Sequence, residues 1–462
     1  MSNAIQGFSY KDGVLHAGTI PVSAIAEAVG TPTYIYSADG IRASYRRLEK
    51  AFSSLGAQPH YAVKACSSLH ICRLLHELGA SMDVVSGGEL ERAWLAGAPM
   101  DEIAFAGVGK TSDEVRAALD GRFSPMLGKA ERFGRSDVEG RGPVGMFNIE
   151  SVSELERLQK IASELDIVAR ACIRVNPNVD PHTHEYTTTG KDKNKFGIDA
   201  HLVPGVFRDF AGHPMIDLVG LHVHIGSPVR RVTPYVEAVQ VLLQLIGELE
   251  TDGHKISLID LGGGWAVDYV AGESPGIEAY AEALTPLLEE RVHAGTKVVL
   301  EPGRSITANA GILLTRVQHV KEGSVRRFVI CDAGMHSMIR PALYQAFHFI
   351  WPTRVAPEQV PTELAERPDL PDLRDSEVVG PICETADFLA RNRPLPSAIE
   401  QDDLLAVFSA GSYGMSMTSN YNDHGRPAEV LVDGDRAILI NERQPLEALF
   451  ETERSPRELE LG

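Results

Sequence analysis

Several short stretches of this chain carry residues whose types and spacing could do chemistry. In P-H-Y-A-V-K-A, 59 to 65, Lys64 follows Tyr61, Ala62 and Val63 and stands where a buried strand would emerge, although a lysine at a strand end also reads as a solvated surface charge. L-E-P-G-R, 300 to 304, puts Glu301 at the end of an apolar run. Burial disfavours an ionised carboxylate, so Glu301 needs a cation beside it; a pyridinium nitrogen would serve, and so would an internal ion pair with Arg304. D-L-G-G-G-W, 260 to 265, strings three glycines together. Without Cβ atoms their amides could close on a phosphate, and a plain tight turn would look the same; the run is not the G-x-G-x-x-G of a dinucleotide site. In H-V-H-I-G-S, His222 and His224 alternate and so face one side of a strand. A metal could use such a pair, but no further histidine or carboxylate stands at ligand spacing after the other strands, so no metal is expected. A ring stacked on a flat cofactor suits His224, and a hydrogen-bonded core histidine suits His222.

These residues need a scaffold that brings distant strand ends together. From residue 60 onward, apolar strand-like runs alternate with helical patterns: 60 to 65, 81 to 86, 103 to 107, 144 to 149, 171 to 176, 219 to 226, 257 to 262 and 297 to 302. Ser86 with Glu89, Thr111 with Glu114 and Ser151 with Glu154 have capping-box spacing at helix starts, and Glu89 is read mainly as a cap. The alternation predicts a closed (β/α)8 barrel of the α/β class over 36–308, with a doubly wound open sheet as the alternative. A barrel builds its site at the C-terminal ends of its strands. Lys64, His224, the glycines and Glu301 all fall there.

Beyond Asn309 the pattern changes to strands without regular helices, which predicts a second, mainly β domain over 309–462, completed by strands from 1–35, where F-S-Y-K-D-G-V-L-H reads as a hairpin. Segments 121–143 and 352–375 read as inserted surface loops.

Composition bounds the rest. A chain of 462 residues with 44% hydrophobic and 23% charged residues can bury a large core. A net charge of −19 weighs against a protein that coats nucleic-acid phosphates. No apolar run is long enough for a membrane span, and the first residues lack the basic flank and apolar core of a signal peptide, so a cytoplasmic protein is expected. The 5 cysteines form no C-x-x-C pair, which fits reduced thiols.

Taken in order, H-Y-A-V-K-A, D-V-V-S-G-G-E-L, K-F-G-I, H-V-H-I-G-S, L-G-G-G, E-P-G-R, D-A-G-M, R-P-A-L-Y, G-P-I-C-E-T-A-D and A-G-S-Y-G resemble the signatures of the alanine-racemase-like, fold-type III decarboxylases that use pyridoxal 5′-phosphate. Within that group the chain is most similar to the diaminopimelate decarboxylases. The resemblance implies that Lys64 carries the cofactor covalently, His224 stacks on its ring, and Glu301 keeps the ring nitrogen protonated. It assigns phosphate to Ser227, Gly263, Gly264 and Tyr413, with Tyr413 also among the substrate-binding residues, and the distal carboxylate of the substrate to Arg304, Arg340 and Tyr344; the fork of a guanidinium matches that group. Cys383 would be a proton donor and Glu384 would recognise the distal ammonium, both reaching in from the other subunit of a homodimer. Ornithine-specific relatives tend to carry C-D-G where this chain has C-E. Pro228 and Thr385 depart from the family pattern, which usually has glutamine and serine there. A racemase of the same fold, a decarboxylase of a related diamine, a cofactor-less regulator and a barrel metal hydrolase are the rival readings.

Overall fold

The computed structural model describes residues 5–121, 142–180, 189–190, 195–453 and 455–459. Apart from Gly121, Gly142 and Pro143, the 121–143 segment lies outside them. The chain divides into two units, Met1–Ile41 with Asp268–Ala271 and Thr307–Gly462, and Arg42–Val267 with Gly272–Ile306.

In the second of these units, short runs of β-branched and aromatic residues bounded by glycine and capping residues give eight parallel strands: Gln58–Ala62, Ser81–Val84, Ala104–Phe105, Met146–Ile149, Ala169–Asn176, Ile216–His222, Leu258–Asp260 and Lys297–Leu300. Each pairs with the next, and the last pairs with the first through Val299↔Gln58 and Leu300↔Pro59, so the barrel closes. Ala104, Met146, Cys172, Val219, Leu258 and Val299 form an apolar cluster drawn from six consecutive strands. Above it, at the C-terminal ends, the interior turns polar.

The helix starts are fixed as their sequences require. Ser86, Thr111 and Ser151 each accept the amide three residues on. Thr111 and Glu114 close a complete capping box, while Glu89 and Glu154 reach one residue further back, to the amides of Val85 and Glu150. Gly220 sits at a register shift in the sixth strand, where a Cβ would come within 2.1 Å of the Leu258 carbonyl oxygen. Only glycine lets the sixth and seventh strands approach so closely.

The other unit holds a sheet in the order Phe388–Pro396, Leu373–Val379, Arg327–Cys331, Gly311–Glu322, Thr33–Ser37, Ala428–Asp433 and Arg436–Asn441, with Leu404–Val407 branching from the long central strand and Ile350–Pro352 pairing with Leu404–Val407 in turn. The expected N-terminal contribution is present, but it comes from a different strand. The hairpin Phe8–Lys11 and Val14–Ala17 joins Ile20–Pro21 in a separate three-stranded sheet, and Thr33–Ser37, buried along its whole length, enters the large one. A strand buried on both faces belongs inside a sheet, and the half-exposed hairpin does not. The 352–375 segment is more than a surface loop: Leu364 within it is fully buried, and Leu373 already opens a strand.

Lys110 ties barrel elements together from inside. Its buried amine donates to the carbonyls of Gly107 and Asn148, both at 2.9 Å, and to Glu154 Oε1 at 2.6 Å, so each ammonium hydrogen has an acceptor. Removing one partner of such a pair leaves a buried uncompensated charge. Lys110→Met is therefore expected to destabilise the barrel by about 3–5 kcal/mol in urea denaturation; a change below about 1 kcal/mol would contradict this role.

Candidate active site

Lys64 does not lie in the first barrel strand. It occupies a single 3-10 turn, Val63–Ala65, just beyond it, and Ala62 before the turn is pinned by its amide N–H, which donates to the Pro302 carbonyl at 2.9 Å. Its amine, 31% exposed at the side chain, sits 2.5 Å from Asp83 Oδ2, which is completely buried. Burial, and then the charge of Glu301, raise the pKa of Asp83, while Lys64 pulls it back down.

Glu301 follows the eighth strand directly, and its backbone amide donates to the Gly262 carbonyl at 2.6 Å. Its ion-pair partner is His222, with Nε2 3.4 Å from Glu301 Oε2, and Asn148 donates to Glu301 Oε1 at 3.1 Å. Arg304 turns instead to Ser227, Nε to Oγ at 3.1 Å, so the internal ion pair at Glu301 is made by a histidine rather than by that arginine. Burial pushes the Glu301 carboxyl up, but the charge and hydrogen bond of His222, and then the charge of Lys64, hold it well below the usual carboxylate range. His222 moves in the complementary direction: burial lowers its pKa, and the charges of Glu301 and Asp260 more than restore it.

His222 and His224 therefore do different work. The sixth strand ends at His222, and His224 lies two residues past it, where its carbonyl accepts from Thr189 Oγ1 at 2.8 Å and from Arg174 at 3.3 Å. The Gly263 amide donates to His224 Nδ1 at 3.1 Å, so in the neutral ring Nε2 carries the hydrogen. Part of the His224 surface stays accessible, yet the packing around the ring, and then the charges of Arg174 and Lys64, hold its pKa well below the ordinary imidazole value.

The glycine run is required first by sterics. A Cβ at Gly263 would meet the Glu301 carbonyl oxygen at 1.9 Å, and one at Gly264, where φ is +104°, would meet the Gly226 carbonyl oxygen at 1.9 Å. The Gly262 amide is taken by Asp260 Oδ1 at 2.9 Å and the Gly263 amide by His224, so these two amides are already donating within the barrel. Behind the loop, Tyr235 donates its hydroxyl to the Gly263 carbonyl at 2.7 Å and stacks on Trp265, with ring centroids 6.1 Å apart.

Asp83, Asn148 and Asp260 were not singled out from the sequence. Each is a lone polar residue near the C-terminal end of an apolar strand, the same signal that marked Glu301. Asn148 bridges two of the carboxylates, donating to Asp260 Oδ2 at 3.3 Å as well as to Glu301. Ligand atoms of His222, Asp260 and Glu301 lie within 4.8 Å of one another, so the expectation that no carboxylate stands near the histidine pair at ligand spacing does not hold. Adjacent strands six, seven and eight bring these ends together although the residues are far apart in sequence. Burial, and then the charge of Glu301, push Asp260 up to about 7. Burial raises the pKa of Glu89, and the charge of Lys64 pulls it back down.

In the β unit, Arg340 and Tyr344 open and close one short helix, and the guanidinium carbon lies 6.0 Å from the Tyr344 ring centre. Cys383 and Glu384 are exposed: the Cys383 amide donates to Asn422 Oδ1 at 3.0 Å, and Glu384 Oε2 accepts from the Tyr421 hydroxyl at 2.8 Å. Asp387 anchors their loop by accepting from the amides of Met335 at 2.6 Å and Ile382 at 2.7 Å. Tyr413, half-buried, adopts a left-handed backbone conformation at φ +55°.

Comparison with known proteins accounts for this arrangement. Residues 38–308 match the family described as pyridoxal-dependent decarboxylase, pyridoxal binding domain. A diaminopimelate decarboxylase of Pseudomonas fluorescens is 43% identical over 447 residues, covering 96% of this chain and 98% of that one. The crystal structure of diaminopimelate decarboxylase from M. jannaschii in complex with L-lysine superposes with a TM-score of 0.84 at 33% identity, covering 97% of this chain and 98% of the other. The Helicobacter pylori enzyme complexed with L-lysine gives 0.80 at 32%, covering 94% and 99%. Likeness that runs through barrel and β unit alike places the chain among the pyridoxal-dependent decarboxylases, as a member of their diaminopimelate decarboxylase family.

Proposed function

We propose that the protein decarboxylates meso-2,6-diaminopimelate to L-lysine and carbon dioxide, the last step of lysine biosynthesis, with pyridoxal 5′-phosphate as cofactor. The observation that carries the substrate is likeness to named diaminopimelate decarboxylases over 96% of the chain, since the family match at 38–308 covers the cofactor domain alone.

The barrel residues fit that cofactor. Lys64 offers a partly exposed amine, Glu301 a buried carboxylate held ionised, and the Gly263–Gly264 backbone a wall that no side chain could replace. Asp83 Oδ1, Asn148 Oδ1 and His222 Nδ1 are buried without a hydrogen-bond partner among the described residues, which is costly unless a polar group completes them. When bound, pyridoxal 5′-phosphate supplies the electron sink that takes up the pair left as the α-carboxyl departs.

The chain's own residues do the rest. Lys64 Nζ would be the amine that holds the cofactor's aldehyde, with Asp83 Oδ2 beside it at 2.5 Å to orient the amine. Glu301 keeps a proton on the ring nitrogen, because its own carboxyl is too acidic to take that proton away. His224, neutral and fixed by Gly263 and Arg174, presents its flat face to the ring. Ser227, Gly264 and Tyr413 bind phosphate, and Gly263 contributes close approach while its amide serves His224. Arg304, Arg340 and Tyr344 hold the distal carboxylate and Glu384 the distal ammonium. As the bond from Cα to the carboxyl breaks and carbon dioxide leaves, Cys383 Sγ delivers a proton to Cα. Cys383 and Glu384, exposed on the β unit, act in this reading on the site of a second subunit of a cytoplasmic homodimer. Among the described residues no helix is long and apolar enough to cross a membrane.

Incubation of the purified protein with pyridoxal phosphate and a panel of diamino acids, following carbon dioxide and product, tests the assignment. Diaminopimelate is expected to turn over, and Lys64→Ala to lower that turnover by about a thousandfold or more; turnover of ornithine or arginine with diaminopimelate inert would overturn the substrate.

The pH profile provides a second test. Glu301 is ionised and His224 neutral from about pH 5.5 to about pH 8, because both are shifted downward, so neither contributes an inflection to kcat there. Asp260, pushed up to about 7 by burial and the charge of Glu301, titrates in this window, beside His222, whose pKa is raised by Glu301 and Asp260. Asp260→Asn is expected to shift or remove the inflection near 7 and His224→Gln to leave the profile's shape unchanged; an inflection left unmoved by Asp260→Asn would contradict the assignment.

A further inference from the structure

Arg340 is 6% exposed, and its guanidinium is held in part by two side chains that have no part in the reading above. The helix it opens ends at Gln345, whose left-handed backbone (φ +51°) turns the chain back and brings His348, fully buried, beside the arginine. Arg340 Nε donates to His348 Nε2 at 3.3 Å, and His348 Nδ1 lies 3.0 Å from the Phe408 carbonyl oxygen. A carbonyl only accepts and an arginine Nε only donates, so Nδ1 must carry the hydrogen and Nε2 must be bare. These two neighbours admit one form of His348, the neutral Nδ1–H tautomer. A second grip comes from Tyr269, whose hydroxyl accepts from an Arg340 terminal nitrogen at 3.3 Å. The Tyr269 ring meets the His348 ring edge-on, with centroids 5.2 Å apart, and lies 5.5 Å from the guanidinium carbon. The Phe408 amide in turn donates to the Phe349 carbonyl at 2.8 Å, which ties the histidine's own segment to the same backbone.

We propose that His348 and Tyr269 are positioning residues for substrate selection. Together they hold the Arg340 guanidinium in one plane, so that its fork meets a distal carboxylate already oriented. An arginine has a long, flexible side chain, and a bidentate grip is weakened when that freedom has to be lost on binding. The inference rests on the reading of Arg340 as the residue that grips the distal carboxylate.

Amide substitutions separate the two bonds of His348. In His348→Asn the side-chain nitrogen falls near the place of Nδ1, keeping the Phe408 bond and dropping the arginine; in His348→Gln the amide oxygen falls near Nε2, keeping the arginine and dropping Phe408. For each holoenzyme, kcat and KM for diaminopimelate and the affinity for pyridoxal phosphate are measured alongside Arg340→Lys. His348→Asn is expected to raise KM about tenfold with kcat within about threefold and cofactor affinity unchanged, and His348→Gln to stay within about threefold of the parent. Tyr269→Phe, which keeps the ring and removes only the hydroxyl, is expected to raise KM several-fold, and it carries the test should His348→Asn fail to fold. Equal losses in the Asn and Gln variants would reduce His348 to a structural residue and overturn the proposal. Should Arg340→Lys raise KM while His348→Asn and Tyr269→Phe do not, positioning fails and the reading of Arg340 stands; should Arg340→Lys leave KM unchanged, both fall.

Discussion

A carboxylate sealed inside a protein is unstable as an anion unless something cationic or strongly hydrogen-bonding stays beside it. Glu301 is 4% exposed, and its surroundings answer that constraint with His222 on one oxygen and Asn148 on the other. The barrel is the means of delivery, since strands four, six and eight contribute one group each and only closure brings their ends to one place. An anion kept ionised at that depth favours a cationic ring nitrogen in the cofactor, and the electron-accepting power of that ring depends on the nitrogen remaining protonated.

The same end of the barrel shows how closely backbone and chemistry are joined. The Glu301 amide bonds to Gly262, the Gly262 amide to Asp260, the Gly263 amide to His224 and the Gly263 carbonyl to Tyr235. Moving any one of these shifts the rest. Bulk at Gly263 or Gly264 would press on carbonyls of the segments that carry Glu301 and His224, so the loop works as a spacer that sets how near those segments stand. Lys110 extends the order outward by holding the carbonyl of Asn148, whose side chain supports Glu301.

Much of this was legible in the sequence, for a physical reason. A charge or a run of glycines at the end of an apolar strand is expensive, so Lys64, Glu301 and the 262–264 run stand out, and the alternation around them fixes a barrel. Asp83, Asn148 and Asp260 carry the same mark inside short strands, but their importance lies in neighbours that only the closed sheet supplies. His222 reads as a core histidine because its carboxylate partner is 79 residues away in the chain, 301 less 222. In the β unit, Thr33–Ser37 and the first hairpin have similar composition, and local pattern cannot tell which of them the large sheet will accept. Leu373–Val379 and Phe388–Pro396 were hidden by their charges and prolines: Arg374, Asp375 and Arg391 are exposed, and the prolines stand on the strand at the end of the sheet, where a missing N–H is tolerated. His348 gave no signal at all, because its neighbours become visible only when Arg340, Tyr269 and Phe408 are folded around it.

The most direct measurement is on Glu301→Gln, which keeps size and hydrogen bonding and removes only the charge. With cofactor saturating, and its binding confirmed by absorption, kcat for diaminopimelate is expected to fall about a hundredfold or more. A variant that binds the cofactor normally and retains kcat within about threefold of the parent would show that the buried negative charge does not drive the chemistry.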